Sequence, residues 1–299
     1  MTDHDHDLDA EVLGERRHLL ALAYRMLGTV AEAEDAVQET YIRWYRMSQA
    51  ERDAIHVPRA WLTRAASRVC LTVLDSARMR RERYVGQWLP EPVPISAFAE
   101  AGSGPDDPLD RVTLDESIST ALLVVLESMT PAERVAFVLH DVFALPFDEI
   151  AEVVGRTPAA CRQLASAARR RVQQARARQV PRAEHDRVVQ AFAAAARDGD
   201  LAGLVAVLDP DVVLRSDGGG IVTAARNPIY GAEKVIRFLM GVLAKNPQAD
   251  VIEQGTPDGL GFALWDEGRI MGVVTLEVIA GRIANVRMVL NPDKLTLWT

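Results

Sequence analysis

The sequence predicts a multidomain chain: two all-α domains, the second holding a helix-turn-helix, followed by an α+β domain. Three observations predict it. Apolar residues recur at helical spacing over about Leu13 to Arg83 and Leu109 to Val180; a proline- and glycine-rich stretch, residues 85–108, parts the two; and from Val212 onward short runs of Val, Ile and Leu are punctuated by Gly and Asp. A chain of 299 residues suits two or three domains, and 48% hydrophobic with 25% charged residues excludes a collagenous or wholly disordered protein.

The two cysteines, Cys70 and Cys161, are too few for a disulfide framework or a cysteine-based zinc site and fit a reducing cytoplasm. No apolar run approaches the ~18 residues of a spanning helix, and the acidic opening MTDHDHDLDA is unlike a secretion signal. His4 and His6 read as part of a solvated tail. We therefore expect a cytoplasmic protein with no metal, no cofactor and no membrane partner.

In the first domain, residues 10–84, Leu19, Leu22, Ala23, Met26 and Leu27 form one apolar face. The next helix, AEAEDAVQETYIRWYRM, places Ala33, Ala36, Val37, Thr40, Tyr41 and Trp44 on a stripe and turns Glu32, Asp35, Gln38, Glu39 and Arg43 outward. That acidic face is either solvated or a dock for a basic partner. Within the 85–108 connector, Trp88-Leu89-Pro90-Glu91-Pro92 puts a Trp and a Leu on a stiff polyproline stretch, which asks for a groove to lie in. In the second domain, residues 109–180, Thr130-Pro131-Ala132-Glu133 is a capping box with proline at the first helical position. The third, residues 181–299, opens with a helix through Val189 and Phe192, carries another near Ala232 to Leu243, and otherwise reads as an antiparallel sheet.

The net charge of −8 hides a strong pattern. From Arg156 to Arg182 eight arginines face no Asp or Glu, and from Arg59 to Arg83 seven arginines face only Asp75 and Glu82. Two dense arginine runs in an acidic protein resemble an electrostatic footprint for phosphates. The first run overlaps PFDEIAEVVGRTPAACRQLASAARRRV. There Phe147, Ile150, Ala151 and Val154 share a face, Gly155 stops the helix, and Thr157-Pro158 caps and starts the next. Cys161, Leu164, Ala165, Ala168 and Val172 form the second helix's buried stripe. Ala159, Arg162, Gln163, Ser166, Arg169 and Arg170 face outward, with Arg162 and Gln163 placed to read bases and Arg156, Arg169 and Arg170 to hold phosphates. A helical hairpin with a solvated basic face has the same spacing; the acid-free run favours DNA.

These motifs resemble bacterial sigma factors of the extracytoplasmic-function (ECF) group: AEAEDAVQETYIRWYR is similar to their core-polymerase-binding helix, and the Phe147 to Val172 motif to their promoter-reading helix-turn-helix. Three further signatures match a subgroup with a C-terminal SnoaL-like extension: Trp88-Leu89-Pro90-Glu91-Pro92, Asp217-Gly218-Gly219-Gly220, and Asn291-Pro292-Asp293-Lys294-Leu295. The resemblance implies that Asp35, Gln38, Glu39, Tyr41 and Arg43 bind the polymerase core, with Tyr41 packing partly inward. It implies that Trp61, Arg64, Ser67, Arg68, Arg78, Arg80 and Arg81 contact the minus-ten element, although Trp61 serves equally well as core. Arg156, Thr157, Ala159, Arg162, Gln163, Ser166, Arg169 and Arg170 then face the minus-thirty-five element. Two departures stand out: Thr72 and Asp75 replace an Asp and a Leu-Arg pair of many relatives, and Ile221 replaces a Lys after the glycines.

The SnoaL-like, nuclear-transport-factor-like fold implies a cone-shaped α+β domain with a cavity. The three signatures are implied to lie near one another and tune the sigma domains in cis, with no separate anti-sigma factor, the partners being RNA polymerase core and promoter DNA. The competing reading is a helix-turn-helix protein whose cavity is a small-molecule sensor or an enzyme. For the enzyme, Asp217, Asp266 or Glu277 would serve as base and Tyr230 as donor.

Overall fold

The computed structural model describes residues 12–81, 84–94 and 119–298, without the side chains of residues 77–81. His4, His6, the connector from 95 to 108 and the side chains of Arg78, Arg80 and Arg81 lie outside the described residues. The chain divides into two compact units: Met1–Arg80 with Val125–Arg171, and Arg81–Val124 with Val172–Thr299.

The first unit is helical. Helix α1 (Arg16–Leu27) ends at Gly28, whose φ of 83° lets its N–H reach the Tyr24 carbonyl. Helix α2 (Val30–Arg46) starts at the N-cap Thr29 and buries Ala33, Ala36, Val37, Thr40 and Trp44, the predicted stripe except Tyr41, which is half-buried. After a short α3 (Gln49–Asp53), helix α4 (Pro58–Arg81) adds the buried Leu62, Ala66 and Cys70 to the core with Leu19, Leu22 and Met26 of α1. Helix α5 (Thr120–Glu127) runs from the second unit into the first. Helix α6 (Pro131–Phe137) carries the full Thr130/Glu133 capping box and widens into a π turn at Val138–Val142. Helix α7 (Phe147–Val154), Gly155 at φ 68° and helix α8 (Pro158–Arg176) make the helix-turn-helix. Cys161, Ala165, Ala168 and Val172 are buried as expected, but Leu164 of the same stripe is only half-buried; in α7 Val153 takes the core position predicted for Val154, and Phe147 is only half-buried.

The second unit is α+β. Helices α9 (Arg182–Asp198), α10 (Leu201–Val207) and α11 (Ala232–Lys245) accompany a six-stranded sheet. Its strands are β1 (Leu208–Asp217), β2 (Ile229–Tyr230), β3 (Asp250–Thr256), β4 (Gly259–Asp266), β5 (Arg269–Ile279) and β6 (Arg282–Val289), in spatial order β2-β1-β6-β5-β4-β3. The wholly antiparallel expectation is corrected here: β1 pairs with β6 in parallel, Asp217 opposite Val289. Parallel pairing requires a long crossover, and the chain between these strands supplies α11 and four strands. Both signature segments that follow β1 and β6 consequently leave the same end of the sheet. A second small core gathers Leu89, Val273, Val289, Leu295 and Trp298.

Candidate functional site

The outward face of α2 is as predicted: Asp35, Gln38 and Arg43 are exposed, and Glu39 accepts a 2.8 Å ion pair from Arg43 one turn on. Tyr41 is half-buried, its hydroxyl donating to the Val12 carbonyl at 3.2 Å, and burial pushes its pKa up to about 12.

On α4, Trp61 packs edge-on against Trp44 with ring centroids 5.3 Å apart, yet keeps part of its surface in a small pocket beside Arg43, Arg64 and Arg68. It serves both core and surface. Ser67 is corrected: it is 0% exposed and its hydroxyl donates to the Thr63 carbonyl at 2.6 Å, so it cannot touch a nucleic acid. The residue lies one turn after Thr63, whose hydroxyl is 3.3 Å from His18 of α1, an inward phase that the small polar side chain concealed. Arg64 stands 3.8 Å from Glu149 and 3.9 Å from Glu152, and Arg68 donates to the Glu152 carbonyl at 3.3 Å. Residues of α7 thus partner the arginines of α4, by carboxylates for Arg64 and by a main-chain carbonyl for Arg68, a pairing that sequence distance hid.

In the helix-turn-helix the Thr157 hydroxyl caps α8 by accepting from the Ala160 N–H at 3.2 Å. Arg156, Thr157, Ala159, Arg162, Gln163 and Arg170 are exposed; Ser166 and Arg169 are half-buried. The Arg162 guanidinium lies 5.2 Å from the centroid of Phe147, which itself packs on His140 at 4.0 Å. That stacking restrains the long side chain without consuming its hydrogen-bond fork. Arg169 is differently placed, held by Asp141 at 2.6 Å, and Arg171 by Glu133 at 3.1 Å.

In the second unit the three signature segments meet around Asp217, which is 0% exposed. Its carboxylate accepts from the Tyr84 hydroxyl at 2.6 Å, the Leu89 N–H at 2.9 Å, the Gly219 N–H at 3.0 Å and the Lys294 ammonium at 2.8 Å. Lys294 also donates to the Leu89 carbonyl at 2.6 Å, and its Nζ lies 4.2 Å from the Trp88 ring centroid. Asn291 donates to the Tyr84 hydroxyl at 3.1 Å, and Trp298 donates to the Pro92 carbonyl at 2.8 Å. Burial first, and then the hydrogen bond to Asp217, push the Tyr84 pKa well above its ordinary value. Gly219 sits at φ +63°, and a Cβ there would come within 2.5 Å of the Asn291 amide, so the glycine run serves close backbone approach. Pro90, Glu91 and Pro92 are buried in this dock, and Asp293 and Pro292 form its exposed rim. Tyr84 and Trp298 were not singled out from sequence; each is one aromatic residue with no pattern around it.

The enzyme candidates are not brought together. Asp217 belongs to the dock, Glu277 pairs with Arg287 and Asn285, Tyr230 is 59% exposed, and Asp266 lines a separate wide cleft. No group of three or more His, Cys, Asp or Glu among the described residues forms a metal cluster, and no helix there is long and apolar enough to cross a membrane.

Comparison with known proteins agrees with this layout. Residues 12–81 match the Sigma-70 region 2 family and residues 119–172 the Sigma-70 region 4 family. The chain is 40% identical to the ECF RNA polymerase sigma factor SigJ of Mycobacterium tuberculosis, covering 94% of this chain and 91% of the relative. It is 36% identical to the sigma factor SigI of the same species, over 99% of this chain and 97% of that one. The crystal structure of M. tuberculosis SigJ superposes with a TM-score of 0.71 and 38% identity, covering 96% of this chain and 98% of that one. The likeness thus extends through the SnoaL-like α+β domain. With two sigma domains in order and relatives matched over nearly their whole length, the chain belongs to the extracytoplasmic-function sigma factors, which direct promoter-specific initiation by RNA polymerase.

Proposed function

We propose that the work of initiation is divided among three surfaces of this chain, two in domain 10–84 and one in domain 109–180, with domain 181–299 as their regulator. Asp35, Gln38, Glu39, Tyr41 and Arg43 of α2 grip the polymerase core. Trp61, Arg64 and Arg68, with Arg78, Arg80 and Arg81, hold the opened minus-ten strand, since a flipped base needs a π face and a cationic rim. Arg162 and Gln163 read the minus-thirty-five duplex while Arg156, Thr157, Arg169 and Arg170 fix the backbone, with Ala159 and Ser166 on the same face. The observation that carries this reading is the exposed, acid-free face of α8, with Arg162 stacked on Phe147 and its fork outward.

The SnoaL-like domain is a regulator in cis, not an enzyme. Trp88-Leu89-Pro90-Glu91-Pro92, seated on Asp217, Lys294 and Trp298, couples the connector to that domain and takes the place of a separate anti-sigma factor. Its buried, fully bonded carboxylate supports a structural anchor rather than a proton carrier.

Run-off transcription with purified core polymerase tests the division of labour. Reversing Asp35 and Glu39 to lysine is expected to abolish promoter-dependent transcripts while leaving duplex binding by the chain unchanged. Transcripts at the unaltered level would refute the assignment of α2.

A further inference from the structure

The second unit contains a cavity of about 290 Å³ between the sheet and helices α9, α10 and α11. Its interior is hydrocarbon: Phe192, Leu204, Ile236 and Phe262 contribute to the walls, and Leu276 and Met288 to the strands beneath. Two small residues of α9, Ala193 and Ala196, face the space where larger side chains would fill it. The polar lining residues are Arg197 and Glu253, 3.7 Å apart and with 72% and 39% of their side chains exposed, which places the pair at the mouth. Met240 and Val251 beside it are also exposed, giving the opening an apolar rim.

Close-packed interiors rarely leave a void larger than a water molecule, and an apolar cavity of ~150 Å³ stays dry and accepts benzene. This one is about twice that size, near the lower end of small-molecule pockets at roughly 300–1,000 Å³. An interior without charge or hydrogen-bonding side chains cannot repay the desolvation of an ionised ligand. We infer that this cavity is a binding site for a neutral, largely hydrocarbon molecule of about two-ring size, with any polar substituent turned toward Arg197 and Glu253. The cavity floor includes β6, which leads directly into the Asn291 to Lys294 segment, so the site lies on the same strand as the dock.

The test uses the full chain and the neutral fluorophore N-phenylnaphthylamine. We expect saturable fluorescence enhancement at one probe per chain, and a thermal midpoint that rises with probe concentration because the ligand binds the folded state. Ala196→Trp and, from the opposite wall, Leu239→Trp fill the cavity and are expected to weaken binding at least tenfold while retaining a cooperative unfolding transition. Non-saturating enhancement, an unchanged midpoint at saturating probe, or wild-type affinity in either folded variant would overturn the inference. The wild-type measurements decide the matter even if neither variant folds.

Discussion

Replacing Lys294 by methionine removes the central ion pair of the dock, together with the Leu89 hydrogen bond and the Trp88 contact that the same ammonium makes. The substitution keeps most of the side-chain volume but removes the ammonium that lies 2.8 Å from a fully buried Asp217 carboxylate. Breaking a buried pair by deleting one partner costs about 3–5 kcal/mol, because the remaining charge is left in a poorly solvating interior. Asp217 would retain three neutral donors, from Tyr84, Leu89 and Gly219, which places the expected loss at the lower end, about 3 kcal/mol. For a unit of this size each kcal/mol shifts the midpoint by about 2–4 °C, so calorimetry of the full chain should show the second unit's transition falling by roughly 6–12 °C. The Asp217→Asn/Lys294→Met double variant should recover at least about 1 kcal/mol of the loss, since the Asp217 charge is removed together with its partner. A single-variant loss below about 1 kcal/mol, or a double variant as unstable as the single one, would refute the claim that this pair anchors the connector.

Arg162→Ala should weaken binding to the cognate minus-thirty-five duplex by about 1–3 kcal/mol and relax selectivity at one base position in a titration against point-mutated duplexes; an equal loss on every sequence would assign it to the phosphates. His18 supplies a pH test, because burial, followed by the charges of Arg59 and Arg25, lowers its pKa to about 4. The unfolded chain protonates this imidazole near pH 6.5 while the folded chain does not, so its stabilising contribution is complete above 6.5 and is lost as pH falls toward 4. Denaturant titrations at pH 7 and 5 should differ by about 1–2 kcal/mol more in the wild type than in His18→Gln. Gly219→Ala should cost more than about 1 kcal/mol, from positive φ and the approach to Asn291, and an unchanged urea midpoint would contradict the tight-turn account.

The helical half was readable because its cues are local. Gly155 stops its helix through its own positive φ, and Thr130 and Glu133 lie only three residues apart. The same locality explains the errors. Ser67 lies on the inward phase of α4, but a small polar side chain gives no periodic signal, so its burial shows only in the folded chain. The carboxylates that hold Arg64 and Arg169 belong to other elements, which charge counting along one segment cannot find. In the second unit the strands were legible but the parallel β1-β6 pair was not, since strand direction depends on the crossover and not on composition. The dock lay between: its three segments were recognisable as signatures, while Tyr84 and Trp298 entered only through contacts 133 to 207 residues distant.

Those separations bear on how the protein is made. Residues 84–92 emerge from the ribosome long before anything that can receive them, for Leu89 meets Lys294 and Pro92 meets Trp298 across more than 200 residues. Loop closure over such a span is an entropic expense that grows only slowly with length, yet it cannot be met at all until the receiving strand exists. During synthesis both sigma domains are therefore complete while the connector is still unmoored, and seating it is among the last events of folding. A chain stalled or cut before Lys294 would carry finished DNA-binding helices without their tether.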